Sequence, residues 1–78
     1  MSLYDEVVSL GKPYLGMVTD QFMARQCNFH LKISPQELSE SHLEELARWV
    51  EISAGLIMDK EKAKELKDRI VSLRRIAA

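Results

Sequence analysis

The sequence predicts an all-α fold: a small helical bundle of three main helices, a short N-terminal helix and a helical turn near Pro35. Apolar residues recur at helical spacing in the second half of the chain, and residues that suit a helix N-cap precede each apolar series. The two series are Leu43, Leu46, Ala47, Val50, Ala54 and Ile57, followed by Ala63, Leu66, Ile70 and Leu73.

The N-terminal helix is predicted from a capping box in which Ser2 is the N-cap and Asp5 is the third helical residue. Gly11 suits a left-handed C-cap, and Pro13 clashes with a continuing helix. We therefore expect this helix to end near Leu10.

The second helix is predicted to begin at Pro13, because proline suits a first helical turn. Leu15, Val18 and Phe22 then share one helical face. Residues 27–33 alternate between apolar and polar side chains, which is also a strand period. We favour a helix that ends near His30 and an extended connector after it. A strand that pairs with its copy across a dimer axis stays open.

A compact helix-start signal follows at residues 33–38. Ser34 is the predicted N-cap, Pro35 occupies the first helical position, and Glu37 completes a capping box. Ile33 and Leu38 occupy the two positions of a hydrophobic staple. One or two helical turns are expected here.

The two long C-terminal helices carry their own start signals. A capping box of Ser41 and Glu44 predicts a helix over residues 41–58, and Asp59 as N-cap predicts another over residues 60–75. The predicted core of the bundle comprises Leu15, Val18, Phe22, Leu43, Leu46, Val50, Ile57, Leu66, Ile70 and Leu73.

The length of 78 residues allows one domain, over residues 1–78, with a marginal hydrophobic core. Cys27 is the only cysteine, so an internal disulfide is excluded and a reducing compartment is indicated. Asp5 and Glu6 interrupt any apolar leader, and no apolar run reaches the length of a membrane span. We expect a cytoplasmic protein that is stabilised by regular helix packing and self-association.

Charge is distributed unevenly along the chain, although the net charge is only −1. Residues 1–59 hold nine acidic and four basic side chains, whereas residues 60–78 hold three acidic and seven basic ones. The chain as a whole has no electrostatic case for nucleic acid. Its two parts have opposite charge and could attract a second copy.

Candidate chemistry is sparse. Cys27 and His30 share a helical face, but a zinc site needs four ligands, or three and a water molecule. The chain has only two histidines and one thiol, and it lacks a glycine-rich phosphate loop. We therefore predict no enzyme, no metal and no cofactor, and we interpret Cys27 as a core residue. A metal or thiol site at Cys27 and His30 ranks third among the hypotheses.

The leading hypothesis is a protein-interaction or assembly module that forms a homodimer or binds another protein. Arg48, Trp49 and Ile52 lie beside the apolar seam and form the candidate partner-binding face, because tryptophan is enriched at binding hot spots. The alternative for Trp49 is a half-buried ring against Tyr14 or Phe22.

The second hypothesis is a small nucleic-acid-binding regulator that uses the basic C-terminal helix. A row of basic residues suits phosphate contacts, although Glu61, Glu65 and Asp68 on the same helix weaken the positive field. The candidate residues are Lys60, Lys64, Lys67, Arg74 and Arg75.

Overall fold

The computed structural model describes residues 2–74, and all regular secondary structure in this range is helical. The all-α prediction is therefore confirmed. The α-helices are α1 (Leu3–Leu15), α2 (Thr19–Arg25), α3 (Leu43–Ala54) and α4 (Lys60–Ser72). Short 3-10 turns lie at Gly16–Val18, Pro35–Glu37 and Glu40–His42, and a π-helical turn lies at Gln26–Leu31. The largest helix–helix contact joins α3 to α4, and α1 packs on both α2 and α4.

Helix α1 is longer than predicted. The Ser2–Asp5 capping box is confirmed, since the Asp5 backbone N–H donates to Ser2 Oγ at 3.1 Å. The predicted end near Leu10 is wrong, because α1 continues through Gly11 and Pro13. Pro13 lies in the last turn, where its missing N–H removes a single helical hydrogen bond.

The glycine that ends α1 is Gly16. Its φ of 64° is left-handed, and its N–H donates to the Lys12 carbonyl as a C-cap. Gly11 instead lies buried at the contact of α1 with α2. A Cβ atom there would lie 2.9 Å from Thr19 Cγ2, so glycine permits the close approach of the two helices.

Residues 26–31 form the π-helical turn, and the strand alternative is wrong within residues 2–74. The favoured alternative, a helix that ends near His30, is confirmed. Lys32 terminates the turn in the left-handed conformation, with φ of 59°.

The helical turn at Pro35 is confirmed, and the Ser34 N–H donates to Glu37 Oε1 at 2.8 Å. A second 3-10 turn follows, in which the Ser39 N–H donates to His42 Nδ1 at 3.0 Å. This cap replaces the predicted box at Ser41. Helix α3 therefore begins at Leu43, and it ends at Ala54 rather than Met58.

The core lies between α3, α4, α1 and the π turn, and five of its predicted residues are fully buried: Leu43, Leu46, Val50, Leu66 and Ile70. Leu15, Phe22 and Leu73 are partly buried against them. Val18 and Ile57 are exposed, so these two predictions are wrong. Both residues lie where an α-helix is interrupted, and the helical phase assumed from the sequence is lost there.

Fully buried residues that the predicted core omitted include Val7 and Met23. Cys27 is also fully buried, which confirms its interpretation as a core residue. Among the described helices, none has both the length and the apolar character needed to cross a membrane.

Candidate interaction surface

Four large apolar side chains lie exposed together where the π turn meets the end of α3. Their exposed fractions are 64 % for Phe29, 52 % for Ile52, 84 % for Leu56 and 64 % for Ile57. Leu56 joins them, because it lines one hollow with Phe29 and Ile57 and a neighbouring hollow with Ile52. We call these four residues the Leu56 patch.

The end of α3 explains why the side chains of Leu56 and Ile57 are exposed to solvent. The α-helix stops at Ala54, and the chain continues as a tight turn. The Leu56 N–H donates to the Ser53 carbonyl at 3.2 Å, and the Ile57 N–H donates to the Ala54 carbonyl at 3.0 Å. This tightened turn leaves both side chains in solvent instead of continuing the buried stripe of α3.

The π turn positions Phe29 on the other side of the hollow. Gln26, which is almost fully buried, anchors the turn to α3 because the Ser53 hydroxyl donates to Gln26 Oε1 at 3.3 Å. The Arg25 guanidinium lies 5.7 Å from the centre of the Phe29 ring, which is cation–π range. π-Helical turns occur frequently at functional sites.

His30 and Trp49 form an aromatic stack at the edge of the Leu56 patch. Their ring centroids are 3.9 Å apart, and the ring planes differ by 9°. Trp49 is half-buried, as one alternative predicted, but its stacked ring is His30 and not Tyr14 or Phe22. Trp49 Nε1 is buried without a hydrogen-bond partner among the described residues, and such a donor destabilises by about 1–3 kcal/mol.

The three residues of the predicted partner-binding face all lie on α3 but have different surroundings. Ile52 belongs to the Leu56 patch, and Trp49 adjoins it through His30. Arg48 is exposed above the groove between α3 and α4, beside Glu45 and Lys67. Arg48 lines neither of the hollows that meet at Leu56.

Two of the predicted nucleic-acid contacts, Lys67 and Arg74, form ion pairs with acids of α3. Lys67 Nζ lies 3.6 Å from Glu51 Oε1, and Arg74 Nη1 lies 3.1 Å from Glu44 Oε2. Each of these surface pairs contributes at most about 1 kcal/mol, but each also reduces the positive field of α4.

The other basic candidates have different surroundings. Lys60 is exposed and lines the hollow that contains Ile52 and Leu56. Lys64 is exposed one turn further along α4. Arg75 lies outside the described residues.

Cys27 is placed poorly for chemistry. Its side chain is fully buried, and this burial raises the pKa of the thiol above its ordinary value. The reactive thiolate is therefore disfavoured. Within residues 2–74, no three histidine, cysteine, aspartate or glutamate side chains come together as metal ligands.

The sequence missed Leu56 and assigned Ile57 to the core. The available signal was the adjacent apolar pair at residues 56 and 57, directly after Gly55. A glycine directly after a helical series commonly ends the helix, so apolar residues that follow it need not continue the buried stripe. No family model, curated protein or solved structure matches the chain.

Proposed function

We propose that the chain is a non-catalytic interaction module that forms a homodimer through the Leu56 patch. The observation that carries this proposal is the contiguous exposure of four large apolar side chains in a chain of 78 residues. The largest exposed apolar patch on a typical monomeric protein covers roughly 300–600 Å² and is often a functional surface.

The size of the patch fits one half of a dimer interface. With roughly 150 Å² for a fully exposed large side chain, the exposed fractions of the four residues give roughly 400 Å² of apolar surface. A standard interface buries roughly 800 Å² per partner, of which roughly 450 Å² is apolar. A two-fold dimer would place the same apolar surface on both sides of the contact.

The ion pairs also favour an apolar rather than a charge-driven association. Lys67 and Arg74 neutralise acids of the same chain, so part of the charge asymmetry along the sequence is compensated internally. A second copy supplies what the small core lacks, namely additional buried apolar surface. The buried thiol of Cys27 supports the cytoplasmic location that we propose with this function.

Light scattering over a concentration series, at low and moderate salt, tests the dimer directly. We expect the unmodified chain to be a dimer and Leu56→Lys to be a monomer, because the new ammonium would be desolvated between apolar side chains. Leu56 is largely exposed in the protomer, so circular dichroism should show an intact helical fold.

Met17→Lys is the matched control. Met17 is fully exposed at 101 %, but it lines neither hollow of the Leu56 patch. The same charge at this position should leave the dimer intact. A strict monomer at every concentration, or equal dissociation by both variants, would refute the Leu56 interface.

Nucleic-acid binding is the second candidate function. It is supported by Lys60 and Lys64, which are exposed one turn apart on α4 and form no ion pair among the described residues. The contact set would also include Lys67, Arg74 and Arg75. A salt-sensitive gel shift that Lys64→Glu abolishes would support this function, and no shift at low salt would remove it.

A further inference from the structure

We propose that His30 makes self-association pH-dependent, so that protonation of its imidazole dissociates the dimer. This inference rests on the proposed function, because it concerns the regulation of the Leu56 patch. The supporting observations are the position of the ring, the charge beside it and the indole face on which it lies.

His30 is half-buried and lines the same hollow as Phe29, Leu56 and Ile57. In the protomer this hollow is open to solvent, so the imidazole can exchange protons with water. A second copy bound to the Leu56 patch would cover the hollow and remove water from the ring.

The positive charge of Arg25 beside the hollow disfavours a second positive charge on His30. Arg25 of α2 is the charged group that lines it with His30, and the lining contains no carboxylate. From α3, Trp49 stacks on the imidazole ring and Ser53 lines the same hollow, and both side chains are uncharged. Glu51 lines the hollow on the far side of Leu56, where it is paired with Lys67.

The stack on Trp49 keeps the imidazole in place in both protonation states. An indole face attracts a cation, so the protonated ring is well accommodated in the open protomer. The closed interface would instead enclose that cation beside Arg25, in apolar surroundings that do not solvate it. Protonation therefore favours the open protomer.

Linkage gives the size of the effect. Free imidazole side chains titrate near pH 6.5, which lies within the physiological range. A two-fold dimer encloses two copies of His30, so two protons bind when it dissociates. If the closed dimer excludes both protons, its dissociation constant rises as the pH falls, by at most about 100-fold per pH unit.

The first test measures the dimer dissociation constant at pH 8 and pH 5.5 by analytical ultracentrifugation. The chain has only two histidines, so His42 provides the matched control. We expect a large pH dependence in the unmodified chain and in His42→Gln, and little in His30→Gln. Retention of the pH dependence in His30→Gln would overturn the inference.

The second test does not require a dimer. Trp49 is the only tryptophan, so its fluorescence at a dilution where the chain is monomeric reports on the stacked ring. We expect the emission to titrate in the histidine range, and His30→Gln but not His42→Gln to abolish this titration. Emission that is constant from pH 8 to pH 5 would overturn the proton-responsive stack.

The first test separates failure of the proposed function from failure of the regulation. No dimer at pH 8 overturns the proposed function, and the regulation is overturned with it. A dimer of equal strength at pH 8 and pH 5.5 overturns only the role of His30. A dimer that weakens at low pH through His30 supports both.

Discussion

Replacement of Gly11 by alanine places two known effects in opposition at the contact of α1 with α2. Alanine is favoured over glycine by about 1 kcal/mol inside a helix, and α1 continues through this position. However, a Cβ atom at Gly11 would lie 2.9 Å from Thr19 Cγ2 and 3.0 Å from Met23 Cε. Real Cβ contacts are not this short, so a neighbour must move.

The two neighbours differ in their freedom to move. Met23 Cε is the end of a flexible side chain, whereas Thr19 is fully buried and β-branched. The Thr19 hydroxyl also donates to the Gly16 carbonyl at 2.6 Å, which fixes its rotamer. Overpacking of a core contact destabilises by about 1–3 kcal/mol. We therefore expect the clash to exceed the gain in helix propensity, with a net loss of about 1 kcal/mol.

Thermal and urea unfolding of Gly11→Ala measures this loss, and about 1 kcal/mol corresponds to about 4–8 °C in a domain of this size. Thr19→Ser removes Cγ2 and keeps the hydroxyl, so in that background Gly11→Ala should be neutral or stabilising. The coupling energy of this double-mutant cycle should be about 1–3 kcal/mol. Stabilisation by Gly11→Ala in the unmodified background, or no coupling to Thr19, would refute the close-approach argument.

Two further predictions concern α1 and the buried thiol. Because Pro13 lies within α1, Pro13→Ala should stabilise the fold by about 1–3 kcal/mol in urea unfolding; no change or a loss would instead fit a proline that begins a new helix. Burial raises the pKa of the Cys27 thiol, so the folded state retains a proton that the unfolded state releases above its ordinary pKa of roughly 8.5. The contribution of Cys27 to the free energy of unfolding should therefore be constant below about pH 8 and fall by up to about 1.4 kcal/mol per pH unit above it. Cys27→Ala should lack this decline between pH 8 and pH 9.5, a range below the ordinary tyrosine pKa; the same slope in Cys27→Ala would assign the decline to another group.

The sequence predicted those parts of the fold that depend on local rules and regular helices. The apolar stripes of α3 and α4 and the capping boxes at Ser2 and Ser34 all form. Gly11 and Pro13 show where local rules fail. Each residue taken alone predicts a helix end, but tertiary packing uses Gly11 for a helix contact and tolerates Pro13 in the last turn.

The π turn shows a different limit of the sequence pattern. Alternation over residues 27–33 fits a strand, yet burial does not follow it, since Cys27 is fully buried and Phe29 is exposed. A π turn has a wider spacing per turn than an α-helix. Neither the helical nor the strand period describes this turn, so periodicity does not predict the exposure of Phe29.

The candidate interaction surface was only partly predictable, because apolar periodicity marks core faces and partner-binding faces alike. Ile52 was assigned to the partner-binding face, and the structure exposes it, whereas Ile57 was assigned to the core and is also exposed. The difference arises at Ala54, where α3 stops and the stripe loses its phase. To predict which of these residues are exposed, the end of α3 must be known to within one residue. Helix ends are the least certain part of a prediction from sequence.

Charged side chains of α3 and α4 pair within the chain, whereas several large apolar side chains stay exposed. The sequence suggested that an acidic body and a basic C-terminal helix attract a second copy. In the structure, α3 and α4 bring these charges together within one chain, as Glu51 with Lys67 and Glu44 with Arg74 show. Such exposed pairs contribute little to stability, and they also reduce the charge available for a partner. The apolar side chains around Leu56 are not buried within the chain, because the end of α3 leaves them in solvent. The exposed apolar surface at Leu56 therefore supports the proposed interface there over one on the basic face of α4.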